Sequence, residues 1–221
     1  MIGILGGMGT QASLDFCNKL AMLNRGKIDQ KYPLFILYNK SNIPGRPENL
    51  HKYNKVLKSL YTGCLLLQKN NCKFIVIPCN TAHYWYDDLQ RKIKIPIVSM
   101  PKEVWLHVKK NCKKNSKIGI LATEATLKTR VYNKFFDKNF ILINPTKSLQ
   151  IKSVNIAIKY IKMGKIKDAA KVIKPAINYL IKLKCNKIIL GCTELPIAIF
   201  AFKSLKKAKQ SKIFIDPNLL L

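Results

Sequence analysis

Phe74-Ile75-Val76-Ile77-Pro78-Cys79-Asn80-Thr81 is echoed later in the chain by Lys187-Ile188-Ile189-Leu190-Gly191-Cys192-Thr193-Glu194. In each stretch an apolar, β-branched run ends at a cysteine followed by polar residues. Such a run reads as a strand covered on both faces, and the polar residues after it mark a turn into a helix. A second pair of segments keeps the same order: Ile2-Gly3-Ile4-Leu5 recurs as Ile118-Gly119-Ile120-Leu121, and Thr10 recurs as Thr126. The spacings nearly agree, 118 − 2 = 116 for these and 192 − 79 = 113 for the cysteines. Two landmarks in one order at nearly one offset describe a duplicated half-domain.

Outward from these landmarks, short apolar runs at 2–5, 34–38, 74–77, 97–99, 118–121, 140–143, 187–190 and 213–215 read as strands. Amphipathic stretches such as 154–163 and 169–183 lie between them. This alternation predicts an α/β fold with parallel sheets. With a boundary near Met100-Pro101, the expected lobes are 1–99 plus 210–221 and 100–209, the closing strand 213–215 returning to the first.

The 221 residues carry 40 Lys+Arg against 11 Asp+Glu, a net charge of +29. A nucleic-acid binder can carry such a charge. Here, however, the only arginines are Arg25, Arg46, Arg91 and Arg130, and the lysines are dispersed, with doublets such as Lys109-Lys110 as their longest runs. Phosphate clamping and base readout favour arginine, so a Lys/Ile/Asn compositional bias explains the charge better and no nucleic-acid partner is expected. The positive field also suits an anionic small molecule. No apolar run approaches the roughly 20 residues that cross a bilayer, and no basic, apolar leader precedes Ile2, so a cytoplasmic protein is expected. The seven cysteines are odd in number and form no C-x-x-C pair, which argues against a disulfide framework and a zinc ribbon.

Cys79 and Cys192 stand apart because each follows a buried-type strand, where open α/β sheets gather ligands. A cysteine at a helix N-terminus meets free N–H groups and the positive end of the dipole, which predicts a pKa lowered toward neutrality. Two such thiols facing one cleft can invert a stereocentre, one removing a Cα proton and the other returning a proton to the opposite face.

On these residues the chain resembles the aspartate/glutamate racemase family, in its aspartate racemase branch. The matching segments are Ile4-Leu5-Gly6-Gly7-Met8-Gly9, Tyr38-Asn39, Ile43-Pro44-Gly45-Arg46 and Ile77-Pro78-Cys79-Asn80-Thr81-Ala82-His83. They continue through Leu121-Ala122-Thr123, Ile161-Lys162-Met163-Gly164 and Gly191-Cys192-Thr193-Glu194-Leu195-Pro196, and so span the chain. The resemblance implies two similar α/β lobes related by pseudo-two-fold symmetry, with the site in the cleft between them. It implies no pyridoxal phosphate, no metal and a homodimer. Cys79 and Cys192 would be the acid/base pair, and Arg46 and Lys162 would meet substrate carboxylates. Asn80, Thr81, Thr123 and Thr193 would hold the α-carboxylate or orient the thiols, and Met8 joins the substrate-binding set. Thr10-Gln11 and Gly45 depart from the branch, which usually has Pro-Leu and an acidic residue there. Relatives also typically continue past Asp216-Pro217 into one more helix.

Neighbouring features have plainer explanations. Gly6-Gly7-Met8-Gly9 lacks the third glycine of a dinucleotide loop and reads as a tight turn that lets substrate approach the backbone. His83 reads as a first-turn histidine making local hydrogen bonds, because a zinc site would need two further ligands. Glu194 either orients Cys192, meets the substrate ammonium, or is a helix N-terminal acid. The aromatic group Tyr84-Trp85-Tyr86 reads as a helix packing on its sheet. The competing functions are an isomerase or decarboxylase of dicarboxylic acids using one or two of these cysteines, and a ligand-binding relative without turnover.

Overall fold

The first half contributes three strands, β1 (Ile2–Gly6), β2 (Phe35–Asn39) and β3 (Phe74–Val76), to a sheet ordered β2-β1-β3. The second contributes β4 (Ser116–Ala122), β5 (Phe140–Ile143), β6 (Lys187–Gly191) and β7 (Phe214–Ile215), ordered β5-β4-β6-β7. Every pairing is parallel. This computed structural model describes residues 1–136, 138–201 and 212–221.

The repeated Ile-Gly-Ile-Leu segments occupy the same place in each sheet, as β1 between β2 and β3 and as β4 between β5 and β6. Ile4 pairs with Val76, and Ile120 pairs with Ile189. The offsets of these partners, 120 − 4 = 116 and 189 − 76 = 113, are those of the sequence repeat. Cys79 and Cys192 therefore each lie three residues beyond registered strand positions, 79 − 76 and 192 − 189.

Both sheets are covered on both faces, which is why their strands read as continuous apolar runs. In the first, Leu5 and Ile75 pack on Leu60 and Leu67 of α2 (Tyr53–Lys69) and on Trp85. On the opposite face Ile4 and Val76 meet Phe16 of α1 (Thr10–Leu23). Arg91 of α3 (Tyr86–Lys92) pairs with Asp88 one turn earlier. In the second, Leu121 and Ile188 pack on a layer in which α7, α8 and α9 are the main helices. These come after α5 (Glu124–Lys128), the short α6 (Lys147–Leu149) and a π-turn over Gln150–Asn155, and run Ile156–Lys162, Ile166–Val172 and Lys174–Lys182. Ile118 and Ile189 face Val104 and Val108 of α4 (Met100–Asn111). A last described helix, α10 (Leu195–Ala201), leaves the end of β6.

Three expectations need correction. The strand expected at 213–215 does not return to the first lobe: β7 pairs with β6 through Ile188–Phe214 and Ile189–Ile215. The segment after it returns instead, with Asp216 bonded to Lys19 of α1 at 2.7 Å and Leu221 packed beside Ile4 and Phe16. The expected division between residues 209 and 210 lies outside the described residues. The strand expected at 97–99 is one parallel bridge, Ile75 to Ile97, because Pro96 precedes it and α4 starts at Met100. The amphipathic stretch 169–183 is two helices, broken at Ile173 where Pro175 opens α9. Among the described residues no helix is long and apolar enough to cross a membrane.

Candidate active site

The two registered turns open into one cleft. Met8, Arg46, Cys79, Asn80 and Thr81 line it from the first half, and Thr123, Lys162, Cys192, Thr193 and Glu194 from the second. The structure thus brings together every site residue expected from the sequence, and adds Pro47 and Gly191. Most of the lining is buried, while Pro47 and Lys162, the latter at the end of α7, are exposed at its mouth.

Cys192 follows β6 directly, and its thiol donates to Glu194 Oε2 at 3.0 Å. Burial, and then the charge of Glu194 beside it, push its pKa well above the ordinary thiol range. The expected lowering toward neutrality therefore fails at Cys192. The helix N-terminus that motivated it starts only at Leu195, and desolvation outweighs what that dipole and Lys162 offer. Cys79 leads into a 3-10 turn, Thr81–Trp85, before α3, and the Asn80 side chain makes no cap.

Asn80 instead accepts a hydrogen bond at Oδ1 from the hydroxyl of Tyr132, which reaches over from the second half. Its Nδ2 is buried with no hydrogen-bond partner among the described residues. The Thr81 hydroxyl meets those of Thr126 at 2.7 Å and Thr123 at 3.1 Å, a three-hydroxyl cluster spanning the two halves. Thr193 donates to the Pro78 carbonyl at 3.2 Å. Four polar side chains of the second half, Thr123, Thr126, Tyr132 and Thr193, thus tie it to the strand-end turn of the first.

Arg46 is 7% exposed and its guanidinium donates to the carbonyls of Met8, at 2.7 Å, and Pro44, at 3.2 Å. Its Nε has no partner, and no acidic side chain pairs with it among the described residues. The turn it anchors is tight. Gly7 has φ +87°, and a Cβ there would lie 2.3 Å from the Lys40 carbonyl carbon. A Cβ on Gly9, the N-cap of α1, would lie 2.7 Å from Glu194 Oε1, so the glycine admits this carboxylate to the start of α1.

His83 fits the local reading. Its Nε2 accepts from the Met100 amide at 3.1 Å, which leaves the proton on Nδ1 to donate to the Cys79 carbonyl at 2.9 Å. Burial lowers its pKa, in keeping with a neutral ring. Trp85 is fully buried and donates to the Tyr53 carbonyl, as packing requires. Among the described residues no three His, Cys, Asp or Glu side chains cluster as a metal site would need. Sequence reasoning missed Tyr132 and the hydroxyl role of Thr126. For Thr126 the repeat with Thr10 was an available signal, whereas nothing local marks Tyr132.

The sequence model of the Asp/Glu/Hydantoin racemase family matches residues 5–219. The chain is 27% identical over 202 residues to the broad specificity amino-acid racemase RacX of Bacillus subtilis, covering 88% of this chain and 86% of that one. Its fold matches the aspartate racemase of Picrophilus torridus with a TM-score of 0.83 at 28% identity, over 98% of this chain and 88% of the other. An aspartate racemase homologue from Pyrococcus horikoshii matches with a TM-score of 0.78 at 25% identity, over 99% and 94%. Glutamate racemase from Francisella tularensis, at 20% identity and a TM-score of 0.68 over 99% and 76%, shares the fold. With these matches running nearly end to end in sequence and in fold, the chain belongs to the Asp/Glu/Hydantoin racemase family of isomerases.

Proposed function

We propose that this protein racemises an acidic amino acid, aspartate ahead of glutamate, through a two-thiol acid/base pair and without a cofactor. The observation that carries the reading is that Cys79 and Cys192, three residues beyond registered strand positions, line one cleft. In one direction Cys79 removes the Cα proton and Cys192, held protonated by burial and Glu194, gives a proton to the opposite face. In the other direction the roles exchange, with the Glu194 carboxylate 3.0 Å away to stabilise the proton on Cys192. Charge developing on the substrate carboxylate is met by the Asn80 amide and the hydroxyls of Thr81, Thr123 and Thr193. Arg46, buried without an acidic partner among the described residues, and Lys162 at the mouth favour a second carboxylate on the substrate. A cytoplasmic homodimer completes the reading. Exposed Leu34 and Phe35 at the β2 edge support self-association.

The test is incubation with L-Asp, L-Glu and neutral amino acids in heavy water, read by chiral analysis and by mass gain at Cα. Cys79→Ala and Cys192→Ala should each abolish inversion, since inversion needs a group on both faces. Each should still exchange the α-proton of one enantiomer. A single variant that racemises at near wild-type rate returns that cysteine to the core.

A further inference from the structure

We infer that Tyr132 is a positioning residue for the reaction: its hydroxyl holds the Asn80 amide with the Nδ2 group turned to the cleft as a donor to the substrate carboxylate. This inference rests on the racemase reading above.

An amide has two ends of opposite character, and only one suits an anion. If Asn80 presented its carbonyl oxygen to the cleft, it would repel a carboxylate; presenting Nδ2, it donates two N–H groups. Asn80 cannot make that choice alone. It is 2% exposed and follows Cys79 directly, so it sits where the amide meets both the thiol turn and the cleft. Tyr132 is what distinguishes its two ends. Its hydroxyl donates to Oδ1, its only hydrogen bond among the described residues, and this leaves Nδ2 buried with no protein acceptor. A buried N–H₂ group without a partner is costly, so a cleft ligand that accepts from it recovers what the protein leaves unmet.

The tyrosine is well placed to hold this setting. It is 2% exposed, and its ring edge packs against Gly191, where a Cβ would lie 3.3 Å from Cε2. Phe136 meets the ring edge-on at 6.3 Å. The ring is thus wedged beside the turn that carries Cys192, while its hydroxyl reaches the turn that carries Cys79. Burial holds the phenol proton on far above the ordinary range, so Tyr132 stays a donor throughout the working pH range.

The test is a double-mutant cycle on Tyr132→Phe and Asn80→Ala, read as kcat/KM for aspartate and as Kd for succinate by calorimetry. Phe keeps the ring, so the melting midpoint should move little. The Tyr132→Phe change should lower kcat/KM on the order of tenfold, and Asn80→Ala on the order of a hundredfold, the size of one lost oxyanion donor. The double variant should be no worse than Asn80→Ala, because Tyr132 acts only through that amide. Losses that multiply, or a Tyr132→Phe variant with wild-type constants, overturn the inference. If Tyr132→Phe does not fold, Asn80→Asp decides: it keeps the acceptor for Tyr132 but removes the donor, and it should lose as much as Asn80→Ala. Wild-type activity retained in Asn80→Asp also overturns it. A wild type that binds succinate but leaves every amino acid's stereochemistry unchanged fails the racemase reading instead, while the Kd cycle still tests Tyr132.

Discussion

Arg46 shows how one residue can carry a specificity argument. A buried guanidinium normally finds a carboxylate, because an unpaired charge in a partly dry site costs several kcal/mol. Here its donors go to the carbonyls of Met8, Pro44 and, at 3.4 Å, Ile43, Nε has no partner among the described residues, and the cleft lies beside it. Arg46→Ala should lower kcat/KM for aspartate on the order of 10²-fold, as for a charged contact of about 2–3 kcal/mol. Activity on alanine should fall far less. An equal loss on both substrates would make Arg46 a brace for the Met8 turn and nothing more. At this scale the sequence was legible where chemistry sits in a contiguous stretch: Cys79-Asn80-Thr81 and Cys192-Thr193-Glu194 name themselves. It was not legible where two distant residues act together. Tyr132 and Asn80 are 52 positions apart, in different halves, and no periodicity joins them. The Cys192 pKa was misjudged for the same reason: the dipole argument is local, whereas burial and the approach of Glu194 are tertiary.

Among the elements, the turn from β1 into α1 joins the fold to the site. Gly7 and Gly9 lie two residues apart and differ in what they supply. Gly7 has a positive φ and the Lys40 backbone against it, so Gly7→Ala should destabilise by about 2–4 kcal/mol. Gly9 has φ −118°, ordinary for alanine, and its near neighbour is the Glu194 carboxylate. Gly9→Ala should leave the melting midpoint nearly unchanged. Its methyl group must displace Glu194 and with it the Cys192 hydrogen bond, lowering kcat on the order of tenfold. Melting curves and kinetics on the two variants separate these effects; a fully active Gly9→Ala would remove Glu194 from the argument. The described strands were legible to within two residues from their apolar, β-branched runs, although the similar run at 97–99 forms only a bridge. Helix limits were less so: Pro175 marks the break at Ile173, yet 169–183 reads as one amphipathic stretch, and no motif in the sequence marks the π-turn over Gln150–Asn155.

Over the whole molecule, the duplicated strand order was legible because the repeat offsets, 116 and 113, survive as strand register. The placement of β7 was not, because a two-residue strand carries no mark of which sheet it joins. The C-terminal segment after β7 links the lobes: Asp216, with its side chain 1% exposed, meets Lys19 of α1, which also meets Asp15. The backbone N–H of Asn218 donates to Asp216 Oδ1 at 3.0 Å. Burial outweighs these partners and, with some help from Asp15, raises the Asp216 carboxyl above the usual range. An acid raised on folding costs stability when ionised. That cost is absent below its unfolded pKa of about 3.9 and is felt in full once pH has risen past the folded one. Lys19 is what keeps the cost small near neutrality. Lys19→Met should therefore destabilise by about 2–3 kcal/mol at pH 7, as expected when one partner of a buried pair is removed. The loss should shrink as pH falls toward 4 and Asp216 takes up its proton. Adding Asp216→Asn to Lys19→Met should recover most of the loss at pH 7, because no charge is then left buried. Thermal unfolding of wild type, single and double variants across this range decides the matter. A loss independent of pH, or no recovery in the double variant, would mean that Lys19 holds the lobes by packing of its stem rather than by its charge.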